Sequence, residues 1–143
     1  MVRVVHLSPE FAVAGQLAVA DFAALAAQGF KSVVCNRPDG EDPTQISAEQ
    51  AHAAATAAGL AFRHFPLRMP DVLDPATADA TKALLDTLPG PILAFCRSGT
   101  RSAIAWAAAA TQVAPVDAVI NALQQADFVI PGLADELRAR AAG

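Results

Sequence analysis

The stretch PILAFCRSGTRSAIAW, residues 91–106, changes character at its sixth residue. Residues 91–95 form a short apolar run, the pattern of a strand buried on both faces. Arg97, Ser98, Gly99 and Thr100 then break the pattern, and from Arg101 onward the sequence reads as a helix. A single thiol, Cys96, therefore sits between the end of a strand and the start of a helix. A helix N-terminus offers unpaired N–H groups and the positive end of its dipole, which together attract an anion. A cysteine placed there is held as thiolate, the reactive form. Successive N–H groups of the loop can curl around whatever the sulfur carries, and Gly99 supplies the positive φ such a turn needs. Arg101 adds a fixed positive charge with fork geometry. Ser102 can cap the helix or donate a hydrogen bond to the sulfur. Arg97 faces either the entrance or solvent. Cys96 and Arg101 are thus the candidate catalytic pair, with Arg97, Ser98, Gly99, Thr100 and Ser102 as candidate anion-binding residues.

Upstream, helices alternate with strands. DFAALAAQGF, residues 21–30, places Phe22, Leu25 and Ala26 on one face, stops at Gly29, and leads to the strand KSVVC, residues 31–35. SAEQAHAAATAAGL opens with Ser47 and Gln50 at capping-box spacing and leads to LAFRHFPL, residues 60–67. DPATADATKALLDTLPG takes Asp74 as N-cap and Pro75 as first helical residue, and delivers PILAF. Helices over about 101–112, 116–128 and 132–142 complete the chain. This alternation predicts an α/β fold with a mainly parallel central sheet flanked by helices, read as one domain over 1–143. Right-handed crossovers bring the C-terminal ends of the strands to one edge, where ligands bind in such sheets. NRPDGE follows the first of these strands and PLRMPD the second, so Arg37, Arg68, Asp39 and Asp71 are expected to converge on the cysteine loop. Arg37, Asp39 and Glu41 can bind substrate, although Pro-Asp-Gly is also a strong turn signal in which Asp39 braces the turn, pairing with Arg37.

The chain has 143 residues, 54% of them hydrophobic, and a net charge of -4. That balance excludes the broad basic field a nucleic acid or anionic membrane requires, so any anion must be bound by a local cluster. No run reaches transmembrane length and the N-terminus lacks a signal-peptide core. A soluble, cytoplasmic protein is expected. Cys35 and Cys96 lack metal-type spacing, and His6, His52 and His64 have no partner set, so neither a metal nor a cofactor is expected. Cys35 reads as a small core residue, with a resolving-thiol role as the alternative. Trp106 reads as core packing.

CRSGTRS is similar to the active loop of rhodanese-like sulfurtransferases, and also to the phosphate loop of cysteine phosphatases, whose pattern is His-Cys-x-x-Gly-x-x-Arg-Ser/Thr. Cys96 to Arg101 spans six residues, the rhodanese length, whereas the phosphatase loop has seven, and Phe95 stands where that pattern has histidine. FRHFPLRMPDVLDP followed by a helix and PILAFC resembles the dual-specificity phosphatase layout, in which an aspartate on the preceding loop is the general acid. That resemblance puts Asp71 in the catalytic set, since helix capping already accounts for Asp74. Across residues 5–110, LSPEFAVAGQLAVADFAALAAQGFKSVVCNRPDGE, AAGLAFRHFPL and GPILAFCRSGTRSAIAW together resemble the phosphatase-like domain of beta-lactamase-hydrolase-like proteins. The resemblance implies a small sulfur-containing or anionic substrate and, as a separate partner, a persulfide dioxygenase of metallo-β-lactamase fold.

Loop length weighs between the two chemistries. One residue fewer removes about 3.5 Å of contour and one N–H from the cradle, which favours a single anionic sulfur over a tetrahedral phosphoryl group. The expectation is a sulfurtransferase that forms a persulfide on Cys96 and passes the sulfur to a thiophilic acceptor. The alternative is a cysteine phosphatase working through a phosphocysteine.

Overall fold

The computed structural model describes residues 2–142. Five strands form one sheet: β1 (Val4–Ser8), β2 (Phe11–Ala14), β3 (Ser32–Cys35), β4 (Ala61–His64) and β5 (Ile92–Phe95), in the order β1-β2-β5-β3-β4. The four strands β2, β5, β3 and β4 run parallel, with Val13 beside Ala94, Cys35 beside Phe95, and Cys35 beside His64. β1 adds an antiparallel edge. The sequence pattern supplies three of the five strands; the β1–β2 hairpin goes unread because only Pro9 and Glu10 separate its strands and neither Gly nor Asn marks the turn.

Among the described residues six helices flank the sheet: α1 (Val19–Ala27), α2 (Ala48–Ala57), α3 (Pro75–Thr87), α4 (Thr100–Ala110), α5 (Val116–Gln125) and α6 (Leu133–Ala142). Side chains alternate across each strand, and this splits the core in two. Val33, Cys35, Leu93 and Phe95 face α1 and α2, where Phe22 meets Phe95 edge-on at 6.4 Å. Val13, Val34, Ile92 and Ala94 pack on the other side with Ala103, Ile104 and Ala107 of α4 and with Val119 and Leu123 of α5. Alanine dominates α4 because that helix is buried over most of its circumference and must approach the sheet closely. Trp106 packs against this core only partly buried, stacked on Phe11 at 6.1 Å.

The local signals act largely as read. Ser47 and Gln50 cap each other reciprocally at the start of α2. At α3 the geometry departs from expectation: Pro75 opens the helix and Asp74 is its N-cap residue, but the Asp74 side chain makes no capping hydrogen bond. The parallel topology brings the ends of β2, β3, β4 and β5 to one edge. Every residue of the cysteine site follows from that.

Candidate active site

Cys96 follows the last residue of β5 and is buried, with 1% of its surface exposed. Its Sγ accepts a hydrogen bond from the Gly99 N–H at 3.1 Å. Gly99 is the N-cap of α4 and adopts φ 94°, a conformation that other residues reach only with strain. The loop is therefore a tight turn that folds back on its own sulfur. Its outer side leans on β2: the Arg97 carbonyl accepts from Gln16 N at 3.2 Å, and a methyl group on Gly15 would lie 3.0 Å from that carbonyl oxygen. The absence of a side chain at 15 is what lets the end of β2 approach the cysteine loop.

Arg101 lies in the first turn of α4 and is held from two directions. Its Nη1 donates to Glu41 Oε2 at 2.8 Å and to the Leu67 carbonyl at 3.0 Å, and its Nη2 donates to Glu41 Oε1 at 2.7 Å. Arg37, 4% exposed, donates through Nε to the same Glu41 Oε1 at 3.1 Å and through Nη1 to Gln16 Oε1 at 3.0 Å. Glu41 thus bridges two guanidinium groups. Arg101, and then Arg37, hold its carboxyl below the usual carboxylate range, while Glu41 is the main influence raising Arg101. A carboxylate so placed stays ionised and orients Arg101; it is poorly suited to donate a proton.

A second set of contacts lies beneath. Ser102, 1% exposed, donates through Oγ to Asn36 Oδ1 at 2.8 Å, and Asn36 Nδ2 donates to the Phe65 carbonyl at 3.0 Å. The expectation that Ser102 caps α4 or serves the sulfur is corrected: its hydroxyl proton is committed to Asn36 and links α4 to the loops after β3 and β4. Asp39 also differs from expectation. It accepts from Ala48 N at 2.8 Å, at the start of α2, so Arg37 pairs with Glu41 in its place.

Arg37, Arg68, Arg97, Arg101, Glu41 and Met69 line a cleft of about 410 Å³. Both arginines of the expected convergence reach it. The two aspartates do not: Asp39 and Asp71 line a neighbouring cleft of about 510 Å³ with His64, and Arg68 borders both. Asp71 ends a short 3₁₀ turn, Met69–Asp71, and is exposed. Ser98 donates to Thr100 Oγ1 at 3.2 Å and, with Gly99, faces away from the arginine cleft, toward Ala14 and Phe128. Cys35 is 5% exposed; its Sγ donates to the Arg37 carbonyl at 3.4 Å, and burial pushes its pKa up to about 11. That keeps it a protonated thiol and weighs against the resolving role. His64 Nε2 lies 3.0 Å from the same carbonyl. Sequence reasoning missed Asn36, Gln16 and Gly15 and left Glu41 as one candidate among several, since no spacing rule connects them to a loop some 60 or more residues away.

A family model described as "Beta-lactamase hydrolase-like protein, phosphatase-like domain" matches residues 3–114. The chain belongs to this family. Among curated relatives, the beta-lactamase hydrolase-like protein of Agrobacterium fabrum C58 is 38% identical over 100 residues, and that of Xylella fastidiosa 9a5c is 33% identical over 105. These alignments take in 70% and 73% of this chain but span only about a quarter of the relatives' length, 23% and 24%. Among solved structures, a phosphatase candidate from Neisseria meningitidis Z2491 superposes with a TM-score of 0.83 at 29% identity, covering 94% of this chain and 96% of that one. A kinase-associated phosphatase carrying a serine in place of its catalytic cysteine shares the fold, with a TM-score of 0.70 at 15% identity over 100% and 96% of the two chains. The beta-lactamase hydrolase-like phosphatase domain is therefore a mainly parallel α/β fold of cysteine phosphatase type, and these relationships favour a phosphatase-like hydrolase over the sulfur-transfer expectation. Among the described residues no helix is long and apolar enough to cross a membrane.

Proposed function

We propose that the protein hydrolyses phosphate monoesters with Cys96 as nucleophile. The observation that carries this reading is the donor inventory of Arg101. A guanidinium has five N–H donors; two on Nη1 and one on Nη2 are taken by Glu41 and Leu67. The Nε–H and the second Nη2–H have no oxygen acceptor among the described residues, and the guanidinium is close enough to Cys96 for the sulfur to raise its pKa further. They form a parallel pair that suits two oxygens of one phosphoryl group, which a lone sulfane sulfur would use poorly. In the reaction Cys96 Sγ attacks phosphorus, and an S–P bond forms as the ester P–O bond breaks. Arg101 and the loop N–H groups neutralise the phosphoryl oxygens. The departing oxygen takes a proton from Asp71, whose carboxyl lines the neighbouring cleft that Arg68 also borders. Water then cleaves the S–P bond, releasing inorganic phosphate and restoring the thiolate.

Sulfur transfer is kept as a second reading because the Cys96 to Arg101 loop is six residues long. One pair of assays separates them, on the same preparation with Cys96→Ser as control: 4-nitrophenyl phosphate hydrolysis, and thiocyanate formation from thiosulfate and cyanide. The proposal expects Cys96-dependent phosphate release. Thiocyanate formation with no phosphatase turnover would transfer the assignment to sulfur.

A further inference from the structure

The chain contains 10 lysines and arginines and carries a net charge of -4. Four of those cations, Arg37, Arg68, Arg97 and Arg101, line one cleft at the cysteine loop. Glu41 is the one carboxylate in the lining of that cleft, and Asp42 lies close enough to feel Arg37 and Arg97, so the cations still outnumber the carboxylates four to two. Arg37 and Arg101 are accounted for by their bonds to Glu41, Gln16 and Leu67. Arg68 and Arg97 are not: among the described residues neither guanidinium makes a hydrogen bond or an ion pair, and both are exposed along the cleft wall. Concentrating like charges is unfavourable in the empty protein, so a cluster of this density in an otherwise acidic chain indicates a ligand that discharges it.

One phosphoryl group does not use all of it. A phosphate monoester brings at most two negative charges to the reacting end, and the loop N–H groups and Arg101 already serve that end. The cleft, at about 410 Å³, is well beyond what one phosphoryl group fills. Arg97 adjoins the nucleophile in sequence and Arg68 stands on the loop after β4, at the border of the neighbouring cleft. We propose that Arg68 and Arg97 form a second anion subsite, and that the substrate is a small phosphate monoester bearing a further anionic group, carboxylate or phosphate. This rests on the phosphatase reading for the reacting group; the subsite itself is a matter of binding and is tested without turnover.

The test uses the full chain as Cys96→Ser, titrated calorimetrically at constant ionic strength with three probes. Glycerol 3-phosphate has one anionic group, 3-phosphoglycerate adds a carboxylate, and glycerol 1,3-bisphosphate adds a second phosphate instead. Two partly solvated ion pairs, each a factor of a few, predict that one or both doubly anionic esters bind about five- to twentyfold more tightly than glycerol 3-phosphate, with the carboxylate and phosphate arms identifying which group is preferred. The ratio should fall toward one when Arg68→Gln and Arg97→Gln are combined, and the salt dependence of binding should flatten. Equal affinity for all three probes, or a preference that survives the double substitution, overturns the subsite. Hydrolysis of 4-nitrophenyl phosphate by the wild-type protein is measured alongside. If that is absent while the charge preference persists, the phosphatase reading fails and the subsite stands; turnover with no charge preference is the reverse.

Discussion

Replacing Glu41 with glutamine removes a charge while keeping the shape, and it strikes the bond that holds both arginines. In the native protein Glu41 accepts from Arg101 at 2.7 and 2.8 Å and from Arg37 at 3.1 Å. The side chains of Arg37, Arg101 and Glu41 are 5%, 12% and 28% exposed. Breaking a fully buried pair costs about 3–5 kcal/mol, because one charge is left uncompensated. The glutamine carbonyl still accepts one bond and Glu41 is partly solvated, so about 2 kcal/mol is expected here. At this chain length that corresponds to a Tm lower by about 8 °C at pH 7. The loss must also depend on pH. The folded-state pKa of Glu41 is depressed, so its contribution is complete above the unfolded value near 4.5 and disappears as pH falls through the lower folded value. Thermal melts of wild type and Glu41→Gln from pH 7 downward should converge below pH 4.5. With Arg101 less firmly oriented, kcat/KM for an aryl phosphate should fall about tenfold, equivalent to ~1.4 kcal/mol of transition-state stabilisation. A gap in Tm that stays constant into the acid range, or no gap at pH 7, would refute the role given to Glu41.

Gly15→Ala should destabilise the protein by about 1–2 kcal/mol and cut turnover more than tenfold, because its methyl meets an Arg97 carbonyl already fixed by Gln16; melts and steady-state kinetics on one sample check both. Asn36→Ala should cost about 2–3 kcal/mol in urea unfolding, since it strips the buried Ser102 hydroxyl of its acceptor, and adding Ser102→Ala should cost much less than the sum of the single changes. Cys35 should resist iodoacetamide at pH 8 in the native protein and react only in denaturant, as its burial and a pKa near 11 require; native-state labelling, seen by peptide mass spectrometry, would contradict this. Asp71→Asn should slow hydrolysis of alkyl phosphates about a hundredfold and that of 4-nitrophenyl phosphate much less, since a good leaving group needs little protonation; equal losses would remove Asp71 from the mechanism.

What could be read from the sequence was whatever nearby residues determine. Ser47 and Gln50, Gly29 and Pro75 mark helix ends through contacts within a few positions, and the apolar run before Cys96 marks the central strand. The cysteine loop was legible for the same reason, because its strand, turn, arginine and helix are contiguous. Contacts that span the chain were not. Arg37 read as a partner for Asp39, two residues away, whereas it meets Glu41, and Asp39 reaches Ala48. Ser102 read as a local cap, yet its partner is 66 positions upstream. Asp71 was expected to converge with the arginines because it shares their edge of the sheet, but the 3₁₀ turn carries it to the adjoining cleft. The first hairpin stayed hidden because β2 lies inside the sheet between β1 and β5, buried on both faces and apolar without alternation.

The distances along the chain between Arg101 and Glu41, 60 positions, and between Ser102 and Asn36, 66 positions, also order events at the ribosome. At about 5–20 residues per second, the anchors leave the exit tunnel roughly 3–13 s before the segment they will hold. During that interval Arg37 and Glu41 can already pair four residues apart, while the reactive thiol has yet to be made. Translation that stalls before Cys96 therefore releases a fragment with its acceptors in place and no nucleophile for them to arm.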